Sequence, residues 1–248
     1  MRTVIGKNAV IELLRSDKKI HQIFTDKKPK LNKTDVEILD LSKSKGINIK
    51  TISNQELDVL ADKGRHQGWI ATTDDFEYLT MDEIIQIGKH NSNATVVLLD
   101  GITDNHNLGA IIRTCECAGV LGLVIPERRA AQVNDTVSKT SAGAVEYLNI
   151  VKVRNINDAI DQLKDNGYWI YGADMQGDQF YYQEQYPQYT GLVIGSEDKG
   201  ISRLTRQKCD SIIEIPMIGR INSLNASCAA SILIYEILRQ RGSQNETR

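Results

Sequence analysis

The chain predicts an α/β protein in two parts: a C-terminal parallel-sheet domain and, before it, a small N-terminal α/β domain. Three observations carry this expectation. Apolar runs alternate with helical patterns from Thr95 onward, a shorter and more basic alternation precedes residue 74, and an acidic, apolar-poor stretch separates the two. In the C-terminal part the strand-like runs are TVVLLD (95–100), GLVIP (122–126), YLNIVKV (147–153), WIYGAD (169–174), GLVIGSE (191–197) and SIIEIP (211–216). Between most of them lie LGAIIRTCECAG, NDTVSKTSA, NINDAIDQLKDNG and SRLTRQKCD, which read as crossover helices. Near-continuous apolar strands joined by crossover helices mean a parallel sheet covered on both faces. Ligands of such sheets bind beyond the carboxyl ends of the strands, so the loops after Asp100, Glu197 and Ile215 are the candidate site.

The N-terminal part reads as helix 8–16, strand 21–25, helix 33–46, strand 47–52, helix 54–62 and strand 68–73, with Gly46 and Gly64 placed as helix stops. The expected division is residues 1–73 as an N-terminal domain, 74–94 as a linker with one short helix from Thr80 to Gly88, and 95–248 as the second domain. Charge follows it. Residues 1–72 carry 14 Lys and Arg against 9 Asp and Glu, whereas residues 73–94 carry 1 against 5. A basic module of this kind meets a polyanion or simply presents a solvated lysine-rich surface, and charge alone supports both.

Composition bounds the function classes. The net charge of −2 argues against a globally basic nucleic-acid binder, and 248 residues suffice for a substantial core. No run approaches about 18 consecutive apolar residues and no cleavage-site pattern opens the chain, so the expectation is a cytoplasmic protein without membrane spans. Cys115, Cys117, Cys209 and Cys228 have no C-x-x-C or paired Cys/His spacing; Cys115 and Cys117 fall on different faces of one helix, so free buried thiols are expected and no metal. Nucleotide and hydrolase fingerprints fail as well. GSEDKGIS (195–202) has P-loop glycine spacing but Ile201 where the phosphate-binding lysine would stand, and neither G-x-G-x-x-G after a strand nor G-x-S-x-G occurs.

The segment Ile215 to Ser227, IPMIGRINSLNAS, remains. It leaves a strand, turns through polar residues and enters the apolar helix CAASILIYEILRQR. Asn225 is a favoured N-cap residue, and a pocket wall and an ordinary capped helix fit the segment equally well.

The stretches LLDGITDNHNLGAIIRTCECAGV (98–120), LVIGSEDKGISRLTRQKCD (192–210) and IPMIGRINSLNASCAASILIYEILRQR (215–241) together resemble the three ordered motifs of the SpoU/TrmH family of RNA ribose 2'-O-methyltransferases, in the SPOUT superfamily. The N-terminal GKNAVIELL and HQG segments resemble the small RNA-binding domain of the branch that methylates a guanosine of 23S ribosomal RNA. The resemblance implies a deep trefoil knot in the C-terminal domain, an L30e-like N-terminal domain, S-adenosylmethionine as methyl donor, RNA as substrate and a homodimer. Transfer RNA is the alternative substrate. A catalytically idle RNA-binding protein that keeps the knot is the alternative of another class.

Each motif has its own physical reading beside the one the resemblance implies. Asn107 is placed to cap a helix Leu108–Ala118 that stops at Gly119, and beside the cap stand two further roles, a hydrogen bond to ribose or the positioning of Arg113. Arg113 is either one half of a surface ion pair with Glu116 or, as the resemblance implies, the arginine that assists removal of the 2'-OH proton. With a pKa above about 12, an arginine is a poor base and a better electrostatic stabiliser. Glu197 suits a helix N-terminus, and by resemblance is the acid that orients Arg113 or another polar group of the site. Gly195, Ser196 and Glu197 bring backbone close to a ligand, while Gly200 is expected at positive φ. By resemblance Ile215, Met217 and Leu224 flank the adenine, and Ser223 and Asn225 serve the methionine end or the attacking ribose. Asn222 is given no role, and Arg220 is a candidate RNA contact. The last helix, apolar almost all round, is expected to be buried in the core or in a dimer interface.

Overall fold

The computed structural model describes residues 1–26, 32–62, 65–197 and 199–245; Gly64, read as a helix stop, lies outside them. In chain order the elements are β1 (Arg2–Ile5), α1 (Lys7–Arg15), β2 (Ile20–Thr25), α2 (Lys33–Ser44), β3 (Ile49–Thr51), α3 (Asn54–Leu60), β4 (Trp69–Thr73), α4 (Met81–Lys89), β5 (Ala94–Asp100) and α5 (Asn105–Cys117). There follow β6 (Gly122–Pro126), α6 (Asp135–Thr140), a 3-10 turn (Ala144–Glu146), β7 (Ile150–Val153), α7 (Ile156–Asp165), β8 (Trp169–Ala173), β9 (Gln179–Phe180), β10 (Tyr189–Gly195), α8 (Arg203–Lys208), β11 (Ser211–Glu214) and α9 (Ala226–Asn245). These elements form two compact units, one of Met1–Glu77 with Val133–Tyr147, the other of Tyr78–Gln132 with Leu148–Arg248.

The first unit has a four-stranded sheet in the order β1-β4-β2-β3, antiparallel except for the β2/β3 pair. The five buried residues of α1, from Ala9 to Leu14, meet Val4, Ile23, Ile38 and Trp69 in its core. Ser53 and Glu56 form a capping box that starts α3, each side chain satisfying a backbone N–H of the other residue. A polar knot lies inside this unit. The Asp35 carboxylate, fully buried, accepts from Trp69 Nε1 at 2.8 Å and pairs with Lys7 Nζ at 2.8 Å. A second buried carboxylate, Glu146, accepts both Arg2 Nη2 bonds at 2.6 and 2.7 Å and has Lys18 Nζ at 3.3 Å. Residues 133–147 therefore carry a buried acid matched to cations of the first unit, although the sequence reading assigns them to the C-terminal part.

The second unit is a seven-stranded sheet in the order β7-β6-β5-β10-β8-β11-β9, with every pairing parallel. Its core joins Val96, Leu98, Val124 and Val193 of the strands to Ile160 and Leu163 of α7. The helix expected inside a linker starts at a Thr80–Glu83 capping box, and Ile84 and Ile85 are buried in this same core. Acidic composition reflects only its outer face.

Several sequence expectations change. The N-cap of α5 is Asp104, whose side chain accepts from His106 N, so Asn107 lies inside the helix and is buried rather than capping it. Asp104 wins because its side chain accepts from an amide of the first turn, that of His106, leaving the Asn107 side-chain amide to turn inward. Gly119 does follow the helix at φ 67°, and Gly200 has φ 62°. Strand β7 begins at Ile150, since Tyr147 closes the 3-10 turn instead. Strands β1 and β9 are too short to show a periodicity in the sequence. Only Cys115 is buried; Cys117 and Cys228 are exposed and Cys209 is intermediate. One face of α9, with Tyr235 and Leu238, is open. Among the described residues no helix is long and apolar enough to cross a membrane.

Breaking a buried ion pair by removing one partner strands the other. Asp35→Ala is therefore expected to cost about 3 kcal/mol or more, read as a lowered urea midpoint with Trp69 fluorescence as probe. An unchanged midpoint would show that Lys7 and the Trp69 indole find water instead.

Candidate active site

The carboxyl ends of β8, β10 and β11 open onto a cleft of about 810 Å³ in the second unit. Strand β10 delivers its floor. Gly195 ends the strand, and a Cβ there would overlap the backbone of Gly200, so the chain folds back more tightly than any side chain allows. Ser196 and Gly200 exchange both backbone hydrogen bonds, at 3.1 and 2.8 Å. The turn throws Glu197 outward at the rim. Asp100, at the end of the neighbouring β5, accepts from Ser202 N at 2.8 Å and holds the far side of the same turn.

Glu197 is the centre of a hydrogen-bond network. Its Oε1 accepts from Asn107 Nδ2 at 2.8 Å, from Ala226 N at 3.2 Å and from Asn225 Nδ2. Asn225 Nδ2 also donates to Asn107 Oδ1 at 2.9 Å, so the two amides and the carboxylate close a ring. Asn225 is at the same time the N-cap of α9, its Oδ1 accepting from Ser227 N at 3.0 Å and Ser227 Oγ at 2.6 Å. Cap and network are thus one arrangement: the cap bonds orient the amide so that its NH2 group faces the acid. One turn further along, Thr114 Oγ1 and Ser231 Oγ, 3.0 Å apart, join α5 to α9.

The opposite wall is the segment Ile215–Leu224. Ile215, Met217, Ser223 and Leu224 line the cleft together with Gly195, Ser196 and Glu197. Among the described residues, Pro216 to Leu224 make no backbone–backbone hydrogen bond, and their carbonyls and amides stand free beside apolar side chains. An apolar slot with unpaired backbone groups suits a flat heteroaromatic ring read at its edge, and the serines and Glu197 suit a polar, cationic tail. The donor set therefore fits a nucleoside-bearing sulfonium such as S-adenosylmethionine.

The sequence-selected residues do not all meet. Asn225 and Asn107 are behind Glu197 and do not line the cleft. Arg113 is exposed on α5 and, among the described residues, forms no ion pair with Glu116 and no bond to Glu197. Asn222, given no role, lines the cleft, whereas Arg220 is exposed outside it. The sequence reading missed the loop after β8. Ala173 to Gln176 line the cleft, with Asp174 paired to Arg206 at 3.0 Å. The available signal was the acid closing WIYGAD, which parallels the one closing TVVLLD. Among the described residues no group of three or more His, Cys, Asp or Glu is placed to hold a metal ion.

Comparison with known proteins decides the family. Residues 94–235 match the family model described as the SpoU rRNA Methylase family. The chain belongs to this family. Residues 3–79 match the model for RNA 2'-O ribose methyltransferase substrate binding. Similar SpoU/TrmH proteins include a putative TrmH family tRNA/rRNA methyltransferase of Staphylococcus epidermidis, 40% identical over 98% of this chain and 97% of that protein. The Bacillus subtilis protein YacO, described in the same words, is 37% identical over 98% and 97%. Among solved structures, the SpoU methyltransferase AviRb from Streptomyces viridochromogenes, in complex with the cofactor AdoMet, superposes with a TM-score of 0.80 at 26% identity, covering 97% of this chain and 90% of that one. The chain is thus an RNA methyltransferase of the SpoU/TrmH family.

Removing the Glu197 carboxylate would leave the Asn107 amide and the Ala226 N–H without their acceptor and the Asn225 amide with Asn107 Oδ1 as its remaining acceptor. Glu197→Ala is expected to destabilise the protein by about 1–3 kcal/mol, measurable by chemical denaturation, while the volume-matched Glu197→Gln loses less. Equal stability of Glu197→Ala and wild type would mean that the network carries no structural energy.

Proposed function

We propose that this SpoU/TrmH protein transfers the methyl group of S-adenosylmethionine to a ribose 2'-oxygen of RNA, at a guanosine of large-subunit (23S) ribosomal RNA. The observation that carries the reading is the cleft of free backbone groups and apolar side chains with Glu197 at its rim, held from behind by Asn107 and Asn225. The match of the N-terminal residues to a 2'-O ribose substrate-binding model and of the C-terminal residues to an rRNA methylase model supports the substrate. The AdoMet complex of AviRb supports the donor. In this reading the N-terminal unit holds RNA, the C-terminal unit carries the knot and the methyl transfer, and the protein works in the bacterial cytoplasm.

S-adenosylmethionine supplies a methyl already activated on a sulfonium. What the protein adds is alignment and exclusion of water. Ile215, Met217 and Leu224 hold the adenine, Ser196 and Ser223 the polar end, and Glu197 keeps α5 and α9 in register so that Asn107 and Arg113 stand at fixed positions. Arg113, which forms no ion pair among the described residues, stabilises the negative charge that develops on the 2'-oxygen, while the 2'-OH proton passes to solvent as the methyl is transferred.

The test is transfer of radiolabelled methyl to unmodified ribosomal and transfer RNA transcripts, followed by alkaline hydrolysis. Label in an alkali-resistant dinucleotide from 23S RNA is the expected result. Label on a base, or no transfer despite binding of donor and RNA, refutes the proposal, and label in transfer RNA alone selects the alternative substrate. Arg113→Ala is expected to lower turnover at least about 100-fold with donor affinity within a few-fold of wild type.

The open face of α9 supports a homodimer. Cys228, Tyr235 and Leu238 recur on one side of the helix and are exposed. Sedimentation is expected to give a dimer, and Tyr235→Glu with Leu238→Glu a monomer; a wild-type monomer at micromolar concentration contradicts the proposal.

A further inference from the structure

The carboxyl edge of the sheet that bears the cleft extends past β5 to β6 and β7, and the proposed chemistry uses nothing there. Two loops end on this edge. Glu127 to Ala131 follows β6, and Arg154 follows β7. Together they present Arg128, Arg129 and Arg154, all exposed and, among the described residues, none in an ion pair. Unpaired arginines on one edge stand out in a C-terminal region where acids outnumber bases, 18 to 15 over residues 95–248. Lys152, two residues before Arg154, adds a fourth cation and is held over the Tyr78 ring at 3.8 Å.

The arginine-bearing turn is fixed at both ends. Glu127 N donates to Val153 O at 2.7 Å, which places the start of the turn beside Arg154. Ala131 N donates to Ile102 O at 2.8 Å, which ties its end to the loop between Asp100 and α5. Between these points Gln132 Nε2 donates to the carbonyls of Pro126, Ala130 and Ala131 at 2.8, 3.3 and 3.2 Å. Arg129 has φ 57°, a conformation that costs a side-chain-bearing residue about 1 kcal/mol and that glycine adopts freely. A turn that keeps a charged residue in that conformation, with its backbone satisfied from three sides, is a rigid platform rather than a solvated loop.

We propose that Arg128, Arg129 and Arg154 form a track for consecutive RNA phosphates, running from the Ile102 loop away from the cleft along the β6 and β7 ends, and that it holds the strand flanking the methylated nucleotide. The proposal rests on the RNA methyltransferase reading. Guanidinium groups match phosphate bidentately, and a preorganised row of them positions a backbone without reading its bases. The track therefore sets affinity and register, whereas the cleft sets chemistry.

The test compares wild type with R128A/R129G/R154A, glycine being chosen at 129 because it relieves the backbone as it removes the charge. Binding to the unmodified transcript that wild type methylates is measured across a salt series. The slope of log affinity against log salt is expected to fall by about 0.7 per lost contact with single-stranded RNA, close to 2 in total. KM for RNA should rise at least about tenfold, with kcat at saturating RNA and donor affinity within about twofold of wild type. The lysine variant R128K/R129K/R154K is expected to keep most of the slope, and a slope as low as that of the first variant overturns the proposal. So does an unchanged slope in R128A/R129G/R154A, or a lost kcat at unchanged KM. Failure of wild type itself to methylate either ribosomal or transfer RNA would instead refute the underlying reading, a result the binding series alone cannot produce.

Discussion

One carboxylate oxygen organises the site. Glu197 Oε1 receives hydrogen bonds from Asn107, 90 residues earlier, and from Asn225 and Ala226, 28 and 29 residues later. Three loops that leave the sheet at different strands are thereby brought to one point. A charged acceptor with several donors is stronger than a neutral pair, and its loss would leave the Asn107 amide and the Ala226 N–H without an acceptor together. Arg113 stands on α5, the helix that Asn107 ties to this oxygen and that Thr114 joins to Ser231 of α9.

The carboxylate can be there only because the backbone beneath it has no side chain. Gly195 meets the backbone of Gly200, and the Ser196–Gly200 bond pair closes the turn. Parallel pairing does the rest. With β10 between β5 and β8, and β11 beyond, the strand ends that carry Asp100, Gly195, Ala173 and Glu214 lie side by side although they are far apart in the chain. Asp100 braces the turn from one side and the Asp174–Arg206 pair closes the cleft on the other. The cleft is built from strand ends on one side and, on the other, from residues 216–224, which among the described residues make no backbone–backbone hydrogen bond.

How far the sequence reveals this depends on the range of the interaction. The strands of the second unit other than β9, the stop at Gly119, the positive φ of Gly200 and the Asn225 cap are local, and period or residue type discloses them. The role of Asn107 is not local. Its amide looks like a cap in the sequence because Asp104, three residues earlier, competes for the same task, and only the fold shows which side chain is free to turn inward. Helix α4 reads as part of a linker because its acidic outer face dominates the composition, while Met81, Ile84 and Ile85 place it in the core. Residues 133–147 were assigned by sequence proximity, and the buried Glu146 that binds Arg2 and Lys18 is a long-range match no pattern announces. The arginine turn belongs to the same class: R-R after a strand reads as a solvated loop until its bonds to Val153, Ile102 and Gln132 are known.

Polar and apolar forces divide the work of the last helix. At its start Asn225 bonds Glu197 and Asn107 and caps the helix through Ser227, and one turn further on Ser231 meets Thr114 of α5. Further along, Leu233, Ile234 and Ile237 fill the core, while Tyr235 and Leu238 are left outside it. An apolar side chain left in water forfeits about 25 cal/mol for each Å² that a partner could cover. Both side chains belong to the open face of the helix, opposite the residues that fill the core. Because the same helix starts at the Asn225 cap, any partner seated on that face would stiffen the frame on which Glu197, Asn107 and Arg113 are held, coupling assembly to the geometry of the site.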